Sequence, residues 1–353
     1  MTRRGHDTRE APFVHRRAEC QRNGMKTMLK KYLDRLPYIR GLKHQAENLR
    51  HEASMLRGQL GAVQTQLDAV NAEQGMFPPG HYYSSIPATD DIRAYIAQRQ
   101  LPQGELPGIR MNTEAQRALL EDFAQFYPGI DFPEQPTPGH RYYFENVWFS
   151  YSDAILLHCF LRKYQPKRII EVGSGFSSAV MLDTIDRHYS ERPALTFIEP
   201  YPERLKALLT GTDAANATLF ATKVQEVPLA HFDQLEAGDL LFIDSSHVVK
   251  TGSDLQFLLF DVLPRLRDGV FVHFHDVFYP FDYPDDWLTE GRHWNENYFL
   301  RAFLSWNAQW EIRLFGSYVH HAFAGLVAEK LPLCARNFGG SLYLQRVAPT
   351  GSQ

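Results

Sequence analysis

Cysteine is scarce: Cys20, Cys159 and Cys334 are the only three in 353 residues. Their odd number, wide separation and lack of CxxC spacing exclude a disulfide framework and a cysteine zinc site, and they suit a reducing cytoplasm. Long apolar runs are also missing. No stretch approaches the ~18 residues of a membrane-spanning helix, so no integral membrane segment of that kind is expected. The opening MTRRGHDTRE has arginines but no apolar region behind them and does not read as a secretory signal. Nor is the chain basic: Lys and Arg total 37 against 41 Asp and Glu, a net charge of −4, which argues against a nucleic-acid-binding body.

The charge is unevenly spread. Residues 1–50 hold 13 Lys/Arg against 5 Asp/Glu, leaving 24 against 36 for the remainder. The basic residues of this leader are scattered among Gly, Pro and His without a helical stripe, so residues 1–38 are expected to form a solvated, disordered segment. Met25 opens MKTMLKKYLDRL, which reads like a natural chain start. The hydrophobic share of 44% and the length fit a globular protein of about two domains.

From Ile39 the apolar positions run Leu42, Ala46, Leu49, Ala53, Leu56, Leu60, Val63, Leu67 and Val70, in alternating steps of three and four. That is a heptad seam. With Ala46 at position a, Glu52 falls at g and Arg57 at the following e, the spacing of an interchain ion pair in a parallel dimer. The pattern predicts a short coiled coil over 39–72 and a homodimer through residues 39–70. The alternative is a single helix laid on its own domain; Gly58 and Gly61, at about 1 kcal/mol each relative to Ala, weaken both.

Residues 73–150 read as an irregular N-terminal cap with FPPGHYYSSIP, PEQPTPGH and one amphipathic helix near Glu114–Tyr127. Its aromatics include Tyr82, Tyr83, Tyr142, Tyr143 and Trp148, which pack or line a mouth. After Tyr151 strands and helices alternate: strands at Arg168–Val172, Leu195–Glu199, Thr218–Ala221, Asp239–Asp244 and Gly269–His273, and helices at Ser152–Lys163, Ser177–His188, Pro202–Leu209 and Ser253–Leu263. This predicts an α/β domain over 151–346 with a parallel sheet covered on both faces. Trp310–Phe315 and Ser341–Gln345, with little between them but loop, suggest an antiparallel pair at one edge. Residues 347–353 read as a flexible tail.

The first strand runs into Glu171-Val-Gly-Ser-Gly-Phe-Ser-Ser178, a turn through two glycines into a helix, as at a nucleotide-cofactor loop. Two cofactors fit it. A dinucleotide loop wants a third small residue, for which Ser178 is imperfect; an S-adenosylmethionine loop wants an acid two places before the first glycine, where Glu171 stands. Glu199, ending the second strand 24 residues past Gly175, suits a ribose diol in both.

With Glu171, Gly173, Ser174, Gly175, Phe176, Ser177, Ser178 and Glu199, the sequence resembles the class I S-adenosylmethionine-dependent methyltransferases, more narrowly the macrocin, cephamycin and catechol O-methyltransferase group. The resemblance spans roughly Tyr151 to Gln345. It implies a Rossmann-like, seven-stranded sheet whose last strand is antiparallel, with the cofactor held by those eight residues. FIDSSH ends the fourth strand and HFHD the fifth. In the metal-assisted members, the acid ending strand four and a pair ending strand five hold magnesium; by position these are Asp244, His275 and Asp276. The basic residue three places after the strand-four acid is their general base, here His247. An imidazole at His275 biases the cation toward a transition metal. His273 reads equally as a packing residue.

PPGHYYSSIP and FSYSDA look like features of bacterial relatives encoded with glycan-assembly genes, which points to a sugar or another hydroxylated small molecule as acceptor. The stretch Val277–Ala308 reads as a lid or substrate loop in which Asp282, Tyr283, Trp287, His293, Trp294, Asn295 and Glu296 clasp the acceptor or fix the loop. The expected function is O-methylation of a glycan or secondary metabolite. The alternatives are transfer to nitrogen or carbon, and a non-catalytic coiled-coil assembly factor of a glycan pathway.

Overall fold

A computed structural model describes residues 25–28, 30–32, 36–73, 76–102 and 104–348. Residues 1–24 of the expected leader, Cys20 among them, and residues 349–353 of the expected tail lie outside the described residues. The chain divides into two compact units, residues 1–87 and 88–353. The cap residues from Ala88 onward therefore share a unit with the sheet.

In the first unit, residues 25–28 and 30–32 are helical and exposed. A helix then runs without a break over Pro37–Glu73 and carries the whole heptad seam. Its leucines are open to solvent, Leu49 at 64% and Leu60 at 68%, while Ile39, Ala46 and Ala53 are half-buried. No described helix is long and apolar enough to cross a membrane.

The second unit is built on seven strands: β1 Arg168–Val172, β2 Ala194–Ile198, β3 Ala217–Phe220, β4 Leu240–Ile243, β5 Phe271–Phe274, β6 Trp310–Phe315 and β7 Leu342–Arg346. Their order is β3-β2-β1-β4-β5-β7-β6. β1 to β5 pair in parallel, and β7 lies antiparallel between β5 and β6. This is the Rossmann-like, seven-stranded sheet with an antiparallel last strand that the resemblance implies. β4 and β5 are buried at every residue, as strands covered by helices on both faces must be. The helix Tyr151–Tyr164 lies on one face, where Phe160 stacks on Tyr343 of β7 at 4.6 Å.

Two local expectations change. The segment between β6 and β7 is not mere loop: it holds helices at Gly316–Ala322 and Ala324–Lys330 and a 3₁₀ turn at Pro332–Arg336. The helix expected at Ser253–Leu263 starts as expected, Ser253 capping it by accepting the Gln256 N–H, but widens to a π turn at Leu258–Val262 and ends in a 3₁₀ turn at Leu263–Arg265. Strand order reverses between β1 and β4, and the crevice outside their carboxyl ends is where such sheets bind ligands.

Candidate active site

Two cavities open at those carboxyl ends. The larger, about 800 Å³, is lined by the glycine loop, Glu199, Asp244, His247, His275 and Asp276, and by aromatic residues including Trp148, Trp287 and Trp294. The smaller, about 400 Å³, runs between Glu199, Lys223, Gln225, Lys250 and Asp254. Gly173, Glu199 and Asp244 border both.

Gly173 has a φ of 81°, and a Cβ there would overlap the carbonyl oxygen of Asp244. The glycine is thus required by the close approach of the β1 and β4 ends as well as by its backbone conformation. Beneath the loop, Glu171 is fully buried and receives the hydroxyls of Ser177, at 2.6 Å, and Ser178. Gly175 N–H donates to Ser178 Oγ at 3.0 Å. Burial pushes the Glu171 carboxyl up to about 8, the serine hydroxyls offsetting only part of the cost. Glu171 and Ser178 therefore brace the loop from below, whereas Gly173, Ser174, Gly175, Phe176 and Ser177 face the cleft. Glu199 ties the loop to β2: its two oxygens accept the N–H groups of Ser174, at 3.2 Å, and Tyr201, at 2.8 Å.

Asp244, His247 and Asp276 converge. One ligand atom from each lies within 4.8 Å of the others, and His247 Nε2 stands 3.6 Å from an oxygen of either aspartate. The other ring nitrogen, Nδ1, lies 2.8 Å from Glu296 Oε2. Burial by itself lowers an imidazole, but the bond to Glu296 and the fields of Glu296, Asp244 and Asp276 outweigh it and raise His247 to about 9. Glu296 is 1% exposed, and burial pushes its carboxyl up despite the imidazole. Both His247, at φ 59°, and Asp276, at φ 57°, hold left-handed backbone, which for residues with side chains is strained and clusters at functional positions.

Two carboxylates and an imidazole at this spacing fit a divalent cation. His275, expected in that set, is placed differently: its Nε2 lies 3.5 Å from Asp276 Oδ1, and Nδ1 is buried without a hydrogen-bond partner beneath the ring of Phe149. The three-residue group contains His247 in its stead. His273 is fully buried within β5, stacked on Phe242 at 4.0 Å, and burial holds it well below the usual range. It is a packing residue.

The long segment after β5 is fastened at several points. His247 O accepts N–H groups from Asn295 and Glu296, and Asn295 Oδ1 accepts the Val249 N–H. Asp282 receives Tyr95 Oη at 2.7 Å, Arg99 at 2.6 Å and Tyr298 Oη at 3.0 Å. Asn295, Glu296 and Asp282 thus fix the segment, and Tyr283 is buried. His293 is exposed. Trp287 and Trp294 wall the cleft, Trp294 lying 4.2 Å from the His247 ring with Arg292 over both indoles. Across the cleft, Arg204 stacks on Trp148 at 3.8 Å. The pairing of Glu296 with His247, and the buried Asp153 in the cleft wall, escaped the sequence reading; 49 residues separate the first pair, and only tertiary contact brings them together.

Residues 170–277 match the methyltransferase-domain family. An uncharacterized protein of Archaeoglobus fulgidus is 36% identical over 169 residues, which cover 46% of this chain and 74% of that protein. Among solved structures, the chain is similar to the SAH-bound Podospora anserina methyltransferase PaMTH1, at 15% identity over 73% of this chain and 95% of that one, with a TM-score of 0.36. It is also similar to the O-methyltransferase TomG of Streptomyces achromogenes in complex with SAM, at 14% identity over 73% and 96%, again with a TM-score of 0.36. Residues 170–277 of the chain thus carry a methyltransferase domain.

Proposed function

We propose that this methyltransferase acts on a hydroxyl group of a small polyhydroxylated acceptor, a sugar or similar metabolite. The observation that carries the reading is His247, whose Nε2 faces Asp244 and Asp276 in the cleft while Nδ1 is fixed by Glu296. Glu199 would hold the ribose diol of S-adenosylmethionine, and the glycine loop would form the floor of its site, where the cofactor would supply the methyl group. The acceptor oxygen attacks the methyl carbon, the carbon–sulfur bond breaks with its electrons going to sulfur, and the hydroxyl proton passes to Nε2 of neutral His247. A neutral amine already carries the lone pair that attacks the methyl carbon, whereas an alcohol must shed its proton as it attacks, which favours oxygen over nitrogen.

Asp244 and Asp276 are the residues that would hold a divalent cation, leaving Nε2 of His247 free to act as the base. When bound, the cation would offset the carboxylate field that keeps His247 protonated and would polarise the acceptor oxygen. Trp287, Trp294 and Trp148 offer flat faces for a sugar ring. The seam of the helix Pro37–Glu73 pairs with that of a second copy, and the Glu52 and Arg57 positions favour the parallel orientation.

The test is calorimetric and chemical. The protein should bind S-adenosylmethionine and S-adenosylhomocysteine without competition from NAD. Mass spectrometry of glycans and metabolites from cells with and without the protein should show a shift of one methylene mass that resists N-methyl assignment. Tight NAD binding with no S-adenosylmethionine binding overturns the cofactor reading. A methylated amine as the product overturns the oxygen acceptor.

A further inference from the structure

The segment FSYSDA, residues 149–154, takes no part in the reaction just described, yet Ser150, Ser152 and Asp153 are tied to residues 337–341. Ser152 N–H donates to Asn337 Oδ1 at 2.7 Å, and Ser152 Oγ lies 2.9 Å from His320 Nε2. Asn337 Nδ2 donates to Ser150 Oγ at 3.3 Å. Asp153, only 4% exposed, receives on Oδ1 both the Gly340 N–H, at 2.9 Å, and the Ser341 hydroxyl, at 2.6 Å.

Gly340 in turn bears on Asp276. Its carbonyl accepts the Val277 N–H at 2.8 Å. A Cβ on Gly340 would stand 2.8 Å from Asp276 Cα and 3.0 Å from Asp276 N, so the two backbones are in direct contact. Asp276 needs such a hold, because a left-handed backbone at a residue with a side chain persists only where its surroundings impose it. Asn297 supplies the hold on the other side, donating through Nδ2 to Asp276 O at 3.1 Å and accepting the Phe278 N–H at 2.9 Å.

We propose that Asp153 is a positioning residue: through Gly340 it fixes Asp276 in the conformation that brings its carboxylate beside Asp244 for cation binding. The proposal rests on the cation reading above. Asp153 stands outside the group of Asp244, His247 and Asp276 and touches Asp276's neighbour through the Gly340 backbone. Asparagine keeps an acceptor oxygen for Gly340 N–H, whereas alanine keeps none.

The experiment measures binding of manganese alone, and separately of S-adenosylhomocysteine, to the full chain and to its Asp153→Ala, Asp153→Asn and Gly340→Ala variants, with thermal unfolding of each. Asp153→Ala should weaken manganese binding by about tenfold or more while S-adenosylhomocysteine binding stays within about twofold, and Asp153→Asn should restore most of the loss. Gly340→Ala, which displaces Asp276 without touching the Asp153 side chain, should lose manganese in the same way. It serves if Asp153→Ala does not fold. Wild-type manganese affinity in either Asp153→Ala or Gly340→Ala overturns the proposal and spares the cation reading. Equal loss of both ligands in a variant reduces Asp153 to a general structural role and also overturns it. A wild-type chain that binds no manganese overturns the cation reading and this proposal together.

Discussion

His247 Nδ1 lies 2.8 Å from the Glu296 carboxylate, while Nε2 of the same ring faces Asp244 and Asp276 in the cleft. The buried carboxylate sets both the ring's orientation and its protonation. Glu296→Gln keeps the size but loses the charge, so turnover should fall by about 10²-fold with little change in cofactor affinity. NMR titration of His247 in the cation-free protein should show the imidazolium persisting toward about pH 9, and a lower midpoint in the variant. Because the folded value lies above the unfolded one, this group's stabilisation is complete below about pH 6.5 and is lost as pH rises through about 9. An unchanged midpoint in Glu296→Gln would remove Glu296 from this role.

Removal of the base itself is the sharper lesion. His247→Ala should lower turnover by about 10²–10⁴ while S-adenosylmethionine affinity stays nearly unchanged, since the base acts on the acceptor's proton. Full activity would remove the base, and with it the main reason to prefer an oxygen acceptor. Excess chelator should silence the enzyme and a divalent ion restore it if a cation takes part.

Gly173→Ala should damage the fold as well as the site. From the sequence, a bulky residue at Gly173 is expected to block the cofactor and leave the fold largely intact. The structure changes that expectation, because the added carbon meets the Asp244 carbonyl and the backbone is left-handed. Thermal unfolding should show a loss of about 1–3 kcal/mol alongside lost cofactor binding. Unchanged stability would count against the close approach of β1 and β4.

Acid should weaken the protein through histidines held neutral inside it. Burial lowers His158 to about 3, with help from His188 and nearby arginines, and lowers His320 to about 4. These groups protonate in the unfolded chain first, so their stabilisation is complete above about pH 6.5 and declines as pH falls toward their folded values. Urea unfolding between about pH 7 and pH 5 should show stability falling, with a shallower fall in the His158→Gln, His320→Gln double variant. Equal slopes in the two proteins would refute the assignment.

The seam on the helix Pro37–Glu73 should make the chain a dimer. Light scattering at micromolar concentration should give twice the monomer mass for the wild type and the monomer mass for Leu49→Asp with Leu56→Asp, with cofactor affinity unaltered in both. A wild-type monomer would refute pairing through the seam. A dimer that survives the double substitution would move the interface elsewhere.

Periodicity and glycine placement made most of the fold legible before any coordinates. β1 and β6 match the expected boundaries residue for residue: β1 is closed by Gly173, and β6, whose WEIRLF mixes apolar and charged residues, is closed by Gly316. The glycine loop lies where expected, and the ends of β4 and β5 fall within one residue of the expectation, at Ile243 and Phe274 rather than Asp244 and His273. The helices between β6 and β7 were not legible: GSYVHHAFAGLVAEK mixes small and aromatic residues without a clean stripe, and its burial comes from packing on the rest of the unit. Side-chain direction was beyond the sequence as well. Which of His247 and His275 joins the two aspartates depends on a left-handed backbone at residue 247 and on a carboxylate 49 residues away. Local spacing determined which residues reach the cleft; long-range contacts from Glu296, Asn297 and Gly340 decided how they face one another within it.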